Sequence, residues 1–242
     1  TGLKVIDILS DHPAGLKLTE ISSHLDLHPS SVHHMVSTLV PHEYITQDPD
    51  TKKYSLGFRF LEISRKILDN LDIRKVAHRH LEVLRRDSQE AVHLAMLRDD
   101  KVVYIDKLDT PSGLSLATYV GYATDPHAAA GGKVLLAGLE DEAVKGIYRN
   151  KPLKAYGKNT ITRLPALMAE LARIRKQGYA VDNEEYYEGV RCVAAPVSSG
   201  GQVVASISVT GSIFTMTRGR IEKELAATVV KAADSVSAEL KW

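Results

Sequence analysis

The chain has 242 residues, of which 44% are hydrophobic and 25% charged, with a formal net charge of +1. This is globular composition with apolar content for one large core or two smaller ones, and no run approaches the roughly 20 apolar residues of a membrane span. The single cysteine, Cys192, excludes an internal disulfide and fits a cytoplasmic protein, while the near-neutral total gives no hint of an anionic partner. Nothing at the N-terminus reads as a secretory signal, and the abrupt opening Thr1-Gly2-Leu3 leaves room for native residues before it.

Residues 1–70 carry seven basic against nine acidic residues and six of the ten histidines. If this half binds a phosphate backbone, it does so by placement of charge rather than by its total. Residues 3–10, "LKVIDILS", predict a helix with Leu3, Ile6 and Leu9 on one side, broken by Pro13 and Gly15. Thr19 suits the N-cap of a second helix, "EISSHLDL", with Ile21 and Leu25 facing inward. Pro29 suits the first position of a third helix, where its missing N–H is no loss.

In that third helix Val32, Met35, Val36, Leu39 and Val40 form one apolar stripe. The opposite side shows Ser30, Ser31, His33, His34, Ser37 and Thr38, and no carboxylate occurs from Leu27 to His42. A face meant for base edges and phosphate oxygens needs donors, and a carboxylate there would repel the backbone. Protonation of the histidines at mildly acidic pH would add charge toward a duplex. The β-type runs 44–47 and 53–56 flank the turn "DPDTK", so a hairpin follows the third helix and carries Lys52 and Lys53 at its tip. Three short helices and a basic-tipped hairpin make a winged helix-turn-helix, residues 1–57, and point to double-stranded DNA; the plainer alternative is a helical interaction module.

Residues 58–72 predict a linker helix. Its stripe of Phe60, Ile63, Ile67 and Leu71 either packs on its own domain or forms a dimer seam. Residues 73–242 then change character. A helix over 73–87 precedes a hairpin, "AVHLAMLR" and "KVVYIDKL", across "DDK"; "LSLATYV" (114–120) reads as another strand. Helices follow at 131–139, 141–149 and 164–177, the last stopped by Gly178, then strands at 192–197 and 203–210 and a final helix to Leu240. The whole is α+β, with the second half an antiparallel sheet with helices packed on it.

Two features bear on a ligand. "AAAGGK" (128–133) puts small residues where the chain enters a helix, and bare N–H groups there favour an anion such as a carboxylate. Ser208 and Thr210 alternate along one strand and so share a face.

The order "LTEISSHLDLHPSSVHHMVSTLVPHEYITQDPDTKKYSLG" resembles the N-terminal domain of IclR-type bacterial transcriptional regulators. "DPHAAAGGKVLLA" (125–137), "GYAVDNEEYYEGVRCVAAPV" (178–197) and "VVASISVTG" (203–211) resemble that family's effector domain, so the likeness is collinear over nearly the whole chain. One departure is that the family usually has an Arg where this chain has His34. The resemblance implies a GAF/PAS-like effector domain and a transcriptional regulator, a repressor rather than an activator. It would be assembled as a homodimer through the N-terminal and linker region, or as a tetramer, and would sense a small organic acid such as a keto acid or aromatic carboxylate. The candidate DNA-binding residues are Thr19, the helix-face residues Ser30, Ser31, His33, His34 and Ser37, and Lys52 and Lys53 at the hairpin tip. Against the effector the resemblance matches the amides of Ala130 and Gly131, the polar groups of Asp182, Cys192, Ser208 and Thr210, and Val190 as apolar wall, with Leu116 and Tyr119 as further lining. No cofactor, metal or membrane partner is implied.

Each feature has a plainer reading. Gly131-Gly132 would let a helix approach the sheet, Cys192 would be a small buried hydrophobe, and Asp182 to Glu185 a solvated acidic turn. A catalytic second domain using Glu184, Glu185, His127 or Cys192 lacks any nucleophile elbow, phosphate loop or zinc helix. A redox switch at Cys192, or a metal on His93, His127 and Cys192, has no supporting spacing.

Overall fold

Val5, Leu9, Ile21, Val32, Val36 and Ile45 are essentially sealed from solvent and knit the first unit together. In this computed structural model, which describes residues 2–110 and 117–240, the chain divides into Thr1–Asn70 and Leu71–Trp242. The first unit holds α1 (Gly2–Ser10), α2 (Leu18–Leu25), α3 (Pro29–Leu39), β1 (Ile45–Gln47), β2 (Tyr54–Leu56) and α4 (Arg59–Asp69). The helix start expected at Thr19 lies two residues earlier: Lys17 is the extended N-cap, and the Glu20 carboxylate accepts its N–H at 2.6 Å. Glu at the third helical position can reach back to the N-cap amide, which outweighs the hydroxyl signal of Thr19. Asp26 ends α2 in the left-handed region, φ 52°, and Pro29 then opens α3 at its first position.

β1 and β2 pair antiparallel from Ile45↔Leu56 to Gln47↔Tyr54. Leu16 adds a single bridge to Tyr54, with both N–H···O bonds formed at 2.9 and 2.7 Å, which ties the α1–α2 connection to the hairpin. One residue of strand has no periodicity, so nothing along the chain foretells it. On α4, Phe60 packs edge-on against Tyr44 at 5.4 Å, while Leu61 and Ile67 are exposed and no residue is fully buried.

The second unit is built on one antiparallel sheet of order β5-β4-β3-β8-β7-β6. Its strands are β3 (Ala91–Arg98), β4 (Lys101–Leu108), β5 (Ala123–Thr124), β6 (Ala180–Asn183), β7 (Val190–Ser199) and β8 (Gln202–Ser212). Alternation along β3, β7 and β8 sends Val92, Leu94, Val193, Ala195, Ile207 and Val209 to one face. There they meet α5 (Asp72–Ser88) and a last helix running through α9 (Arg218–Arg220), a π-helical turn (Ile221–Leu225) and α10 (Ala226–Glu239). The opposite face takes α6 (Ala130–Ala137), α7 (Asp141–Tyr148) and α8 (Leu164–Gln177) against Ala180, Cys192 and Ala194.

One expectation and one plainer reading are corrected. Of the strand expected at 114–120, residues 117–120 form no strand, and residues 114–116, Leu116 among them, lie outside the described residues. Residues 182–183 are not a solvated turn: they belong to β6, where Asp182 pairs with Cys192 and is buried.

Candidate DNA interface and effector cavity

On α3, burial of Val32 and Val36 turns Ser30, Ser31, His33, His34, Ser37 and Thr38 outward, and all six are exposed. His28 caps the helix, its Nδ1 accepting the Ser30 N–H at 3.4 Å and lying 2.9 Å from Ser30 Oγ. Thr38 bonds back to the His34 carbonyl at 3.0 Å. Thr19 sits in the first turn of α2 and is exposed. At the hairpin tip Asp48 Oδ1 accepts from Thr51 N–H and Oγ1, both at 2.7 Å, and from Asp50 N–H at 3.1 Å. These bonds, the Thr51 amide foremost, hold the Asp48 carboxyl below its ordinary range. The turn therefore fixes Lys52 in solvent, with Lys53 half-buried beside it. The exposed face is thus one of hydroxyl and imidazole groups, and two lysines stand on a hydrogen-bonded turn of the same unit.

In the second unit a narrow cavity of about 40 Å³ opens where α6 points its N-terminus at the sheet. Ala129, Ala130 and Gly131 form that end; His93, Thr210, Cys192 and Asp182 come from β3, β8, β7 and β6. The amides of Ala130, Gly131 and Gly132 are the first three of the helix and have no carbonyl within it to bond. A Cβ on Gly132 would lie 2.3 Å from the Pro126 carbonyl oxygen, and one on Gly131 2.9 Å from Ser206 Oγ. Gly132 thus serves close packing against the turn at 126–128, while Gly131 keeps backbone open toward the cavity.

Buried polar atoms gather here. Among the described residues Thr124 Oγ1 and His93 Nδ1 meet no hydrogen-bond partner, and both residues line the cavity; Ser206 Oγ lies beside Gly131, likewise without one there. His93 Nε2 meets Thr118 Oγ1 at 3.0 Å, and burial pushes the imidazole down to about 3, so it is neutral. Burial, reinforced by Glu185, pushes Asp182 up to about 7, against the Glu185 amide that donates to Asp182 Oδ1 at 2.7 Å. Burial likewise pushes the Cys192 thiol up to about 12. Among the described residues no Lys or Arg lines the cavity. Lys133, on α6 and buried, spends its ammonium on the Val181 carbonyl at 2.8 Å and Glu185 Oε1 at 2.5 Å.

The outer wall is aromatic. Tyr122 Oη lies 3.0 Å from Tyr186 Oη and 3.3 Å from Tyr187 Oη, and Tyr156 stacks on Tyr186 at 4.4 Å. Tyr156 donates to Asp125 Oδ2 at 2.5 Å, and Lys101 and Lys151 reach Asp125 Oδ1 at 2.5 and 3.0 Å. This cluster pins the 3-10 turn Pro126–Ala128 from which α6 starts. Two wider grooves, about 450 Å³ between α5 and α10 and about 480 Å³ beside β6, lie on the surface with mixed charge.

Of the expected effector residues, the cavity gathers Ala130, Gly131, Asp182, Val190, Cys192 and Thr210. Ser208 shares the Thr210 face and is buried, but lies off the wall, where its hydroxyl reaches the thiol. Tyr119 is 63% exposed and touches the cavity only through Tyr122, ring to ring at 5.4 Å. Tyr104, Thr118, Tyr122, Thr124, Tyr186 and Tyr187 went unforeseen, as did His93 in this role. Only the Tyr-Tyr pair inside the 178–197 run offered a signal. The triad His93, His127 and Cys192 forms no metal cluster, since no group of three such ligands converges among the described residues.

Residues 65–238 match the family "Bacterial transcriptional regulator IclR C-terminal", and residues 2–49 match "IclR helix-turn-helix domain". The chain belongs to the IclR family. Its relatives include the HTH-type transcriptional regulator KdgR of Escherichia coli, 33% identical over 99% of this chain and 92% of that protein. The transcriptional repressor IclR of E. coli is 28% identical over 98% and 87%. Among solved structures, Thermotoga maritima IclR superposes with a TM-score of 0.80 at 29% identity, covering 100% of this chain and 97% of that one. An IclR homologue from Microbacterium hydrocarbonoxydans, solved with 4-hydroxybenzoate, shares the fold at a TM-score of 0.82 and 24% identity, covering 99% of each. IclR-family members are transcriptional regulators, not enzymes, and this chain is accordingly a DNA-binding transcriptional regulator with an effector-binding domain. No described helix is long and apolar enough to cross a membrane.

Proposed function

We propose that this IclR-family regulator is a cytoplasmic repressor whose operator affinity is set by a small organic acid held at the N-terminus of α6. The observation that carries the reading is the convergence of the Ala130 and Gly131 amides with the buried Thr124 hydroxyl, unpartnered among the described residues, in a cavity that no described Lys or Arg lines. An anion there is met by backbone dipoles and neutral donors. The aromatic wall suits a planar ligand, and the Microbacterium neighbour holds 4-hydroxybenzoate. The cavity is far smaller than the roughly 300 Å³ at which ligand pockets begin, so the tyrosine wall moves outward when the acid enters.

On the DNA side, Ser30, Ser31, His33, His34 and Ser37 read the major groove, and Thr19, Lys52 and Lys53 contact phosphates. His34 stands where the family usually has Arg and contributes a weaker contact. The repressor role follows the relatives named as repressors. Phe58, Leu61 and Ile67, 80%, 64% and 59% exposed, support pairing of two copies along α4. The effector acts by binding the DNA-competent and incompetent arrangements with different affinity, since equal affinity shifts nothing.

The test is a thermal-shift screen of carboxylates followed by operator binding with and without each hit. A ligand at about 100 times its dissociation constant stabilises by about 2.7 kcal/mol, and a true effector must also move the DNA affinity. Stabilisation by neutral analogues alone, or hits that leave operator binding unchanged, would overturn the reading.

A further inference from the structure

We propose that this cavity takes its acid together with one proton, with the ligand carboxylate and the Asp182 carboxyl sharing a single negative charge between them. The inference rests on the reading that the cavity holds a carboxylate, and adds how the charge is balanced and which residue balances it.

Asp182 lies on β6 and is 6% exposed, with its side chain on the cavity wall. From its own connection Glu185 donates its amide to Oδ1 and brings a second carboxylate nearby. From β7 the facing group is the Cys192 thiol, from β4 the Tyr104 phenol, and from β3 the neutral His93. From α6 the one ammonium in reach is Lys133, which is already bonded to Glu185 and the Val181 carbonyl. From β4, opposite His93, Lys107 bonds the Thr118 carbonyl at 2.7 Å and pairs with Asp109. Lys133 draws Asp182 down in part but is paired with Glu185, so both ammonium groups near the cavity are matched by a carboxylate and neither adds net positive charge to it. An ionised Asp182 would therefore leave the cavity at −1 before any ligand arrives, and an entering carboxylate would double that charge beside side chains that are themselves buried.

Two carboxylates in one buried site without a cation of their own hold one proton between them, because the second ionisation is penalised by both desolvation and like charge. Burial and Glu185 already bring Asp182 up to about 7 with the cavity unliganded, and a second anion pushes in the same direction. The protonated carboxyl is then a hydrogen-bond donor on the wall across from the α6 amides, complementary to an anion. An ionised one is acceptor-only and repels it.

The consequence is a signature that a merely packed Asp182 would not give. Below about pH 7 the proton is already in place and affinity for an ionised carboxylate is flat; above it, affinity falls about tenfold per pH unit, with one proton taken up per ligand bound. Benzoate, 4-hydroxybenzoate and pyruvate serve as probes, titrated calorimetrically into the full chain at about pH 6 and about pH 8.5 in buffers of different ionisation enthalpy. The expected result is near-zero proton uptake at the lower pH, close to one at the higher, and a Kd weakened more than tenfold. Asp182→Asn, which keeps a donor and cannot titrate, is expected to bind with no pH slope. Should Asp182→Asn fail to fold, the wild-type proton count alone decides. A probe that binds wild type with the same Kd at both pH values and no proton uptake overturns the proposal while leaving the acid-site reading intact. Absence of heat and of thermal stabilisation with all three probes would remove that reading, and the shared proton with it.

Discussion

Thr210 on β8 donates its hydroxyl hydrogen to the Cys192 sulfur on β7 at 3.1 Å, the two residues standing opposite each other in the sheet. The thiol is buried and pushed up to about 12, chiefly by burial, with Asp182 adding to it and Thr210 offsetting part. Thiolate is the reactive form, so at neutral pH this cysteine is inert. Native protein is expected to alkylate at least about a hundredfold more slowly than urea-unfolded protein, and Cys192→Ser to keep its ligand response. Equal labelling rates in the two states would reopen a redox role.

The hairpin tip makes a different demand. Lys52→Ala is expected to weaken binding uniformly across DNA sequences and make the log–log salt slope shallower by about 1, with Lys53→Ala acting similarly. Ser31→Ala or His33→Ala should instead relax base preference, by about 1–3 kcal/mol where the side chain makes a well-aligned bond to a base edge. Competition binding on a randomised operator pool at two salt concentrations separates the two effects. A Lys52→Ala protein with altered base preference and an intact slope would remove the wing assignment.

His93 couples stability to pH. Burial holds its folded value at about 3, while an unfolded histidine titrates at about 6.5, so protonation favours the unfolded chain. Its stabilisation is fully present above about pH 6.5 and is lost as the pH falls toward 3, costing about 1.5 kcal/mol between pH 6.5 and 5. His93→Gln, which keeps a donor for Thr118, is expected to show a shallower fall in urea midpoint over that interval.

Asp125 has the opposite chemistry and the same direction. Burial alone would raise its carboxyl, yet Lys101, Tyr156 and Lys151 bring it below the ordinary range. A lowered folded value means stabilisation present above the unfolded value of about 3.9 and lost on further acidification. Asp125→Asn removes the charge that two ammonium groups and a phenol share and leaves one neutral acceptor oxygen, while Lys151 keeps Asp100 at 2.7 Å. We expect a loss of roughly 2–3 kcal/mol at neutral pH, below the fully buried case because Lys101 is 43% exposed. Chemical denaturation reads the loss, and carboxylate affinity should drop with it because the turn before α6 is no longer pinned.

Two helical glycines should respond with opposite signs. Gly146 in α7 has open space where a methyl group would stand, so Gly146→Ala is expected to stabilise by about 0.5–1 kcal/mol. Gly132 would put its methyl 2.3 Å from the Pro126 carbonyl, so Gly132→Ala must displace backbone and should cost more than about 2 kcal/mol and close the α6 amide site. Melting temperatures of the two variants decide it.

The elements with a local signal were legible in the chain alone. Pro29 and the apolar stripe of Val32 and Val36 placed α3, and the same burial sent its serines and histidines outward. The hairpin of β3 and β4 and the stop of α8 at Gly178, φ 83°, followed from strand composition and glycine chemistry. The motif runs carried the family and, through it, Ala130, Gly131, Asp182, Val190, Cys192 and Thr210 of the cavity. The rest waited on folding, because it turns on side-chain bonds and pairings that no local pattern encodes. The N-cap passed from Thr19 to Lys17 through one bond to the Glu20 side chain. The choice between a cavity contact and a solvated turn at Asp182 was decided by the pairing of β6 with β7, which buries it beside Cys192. The tyrosine wall assembles from residues 104, 122, 156, 186 and 187, whose rings meet only once the sheet has closed, and no spacing along a single strand or helix specifies such a meeting.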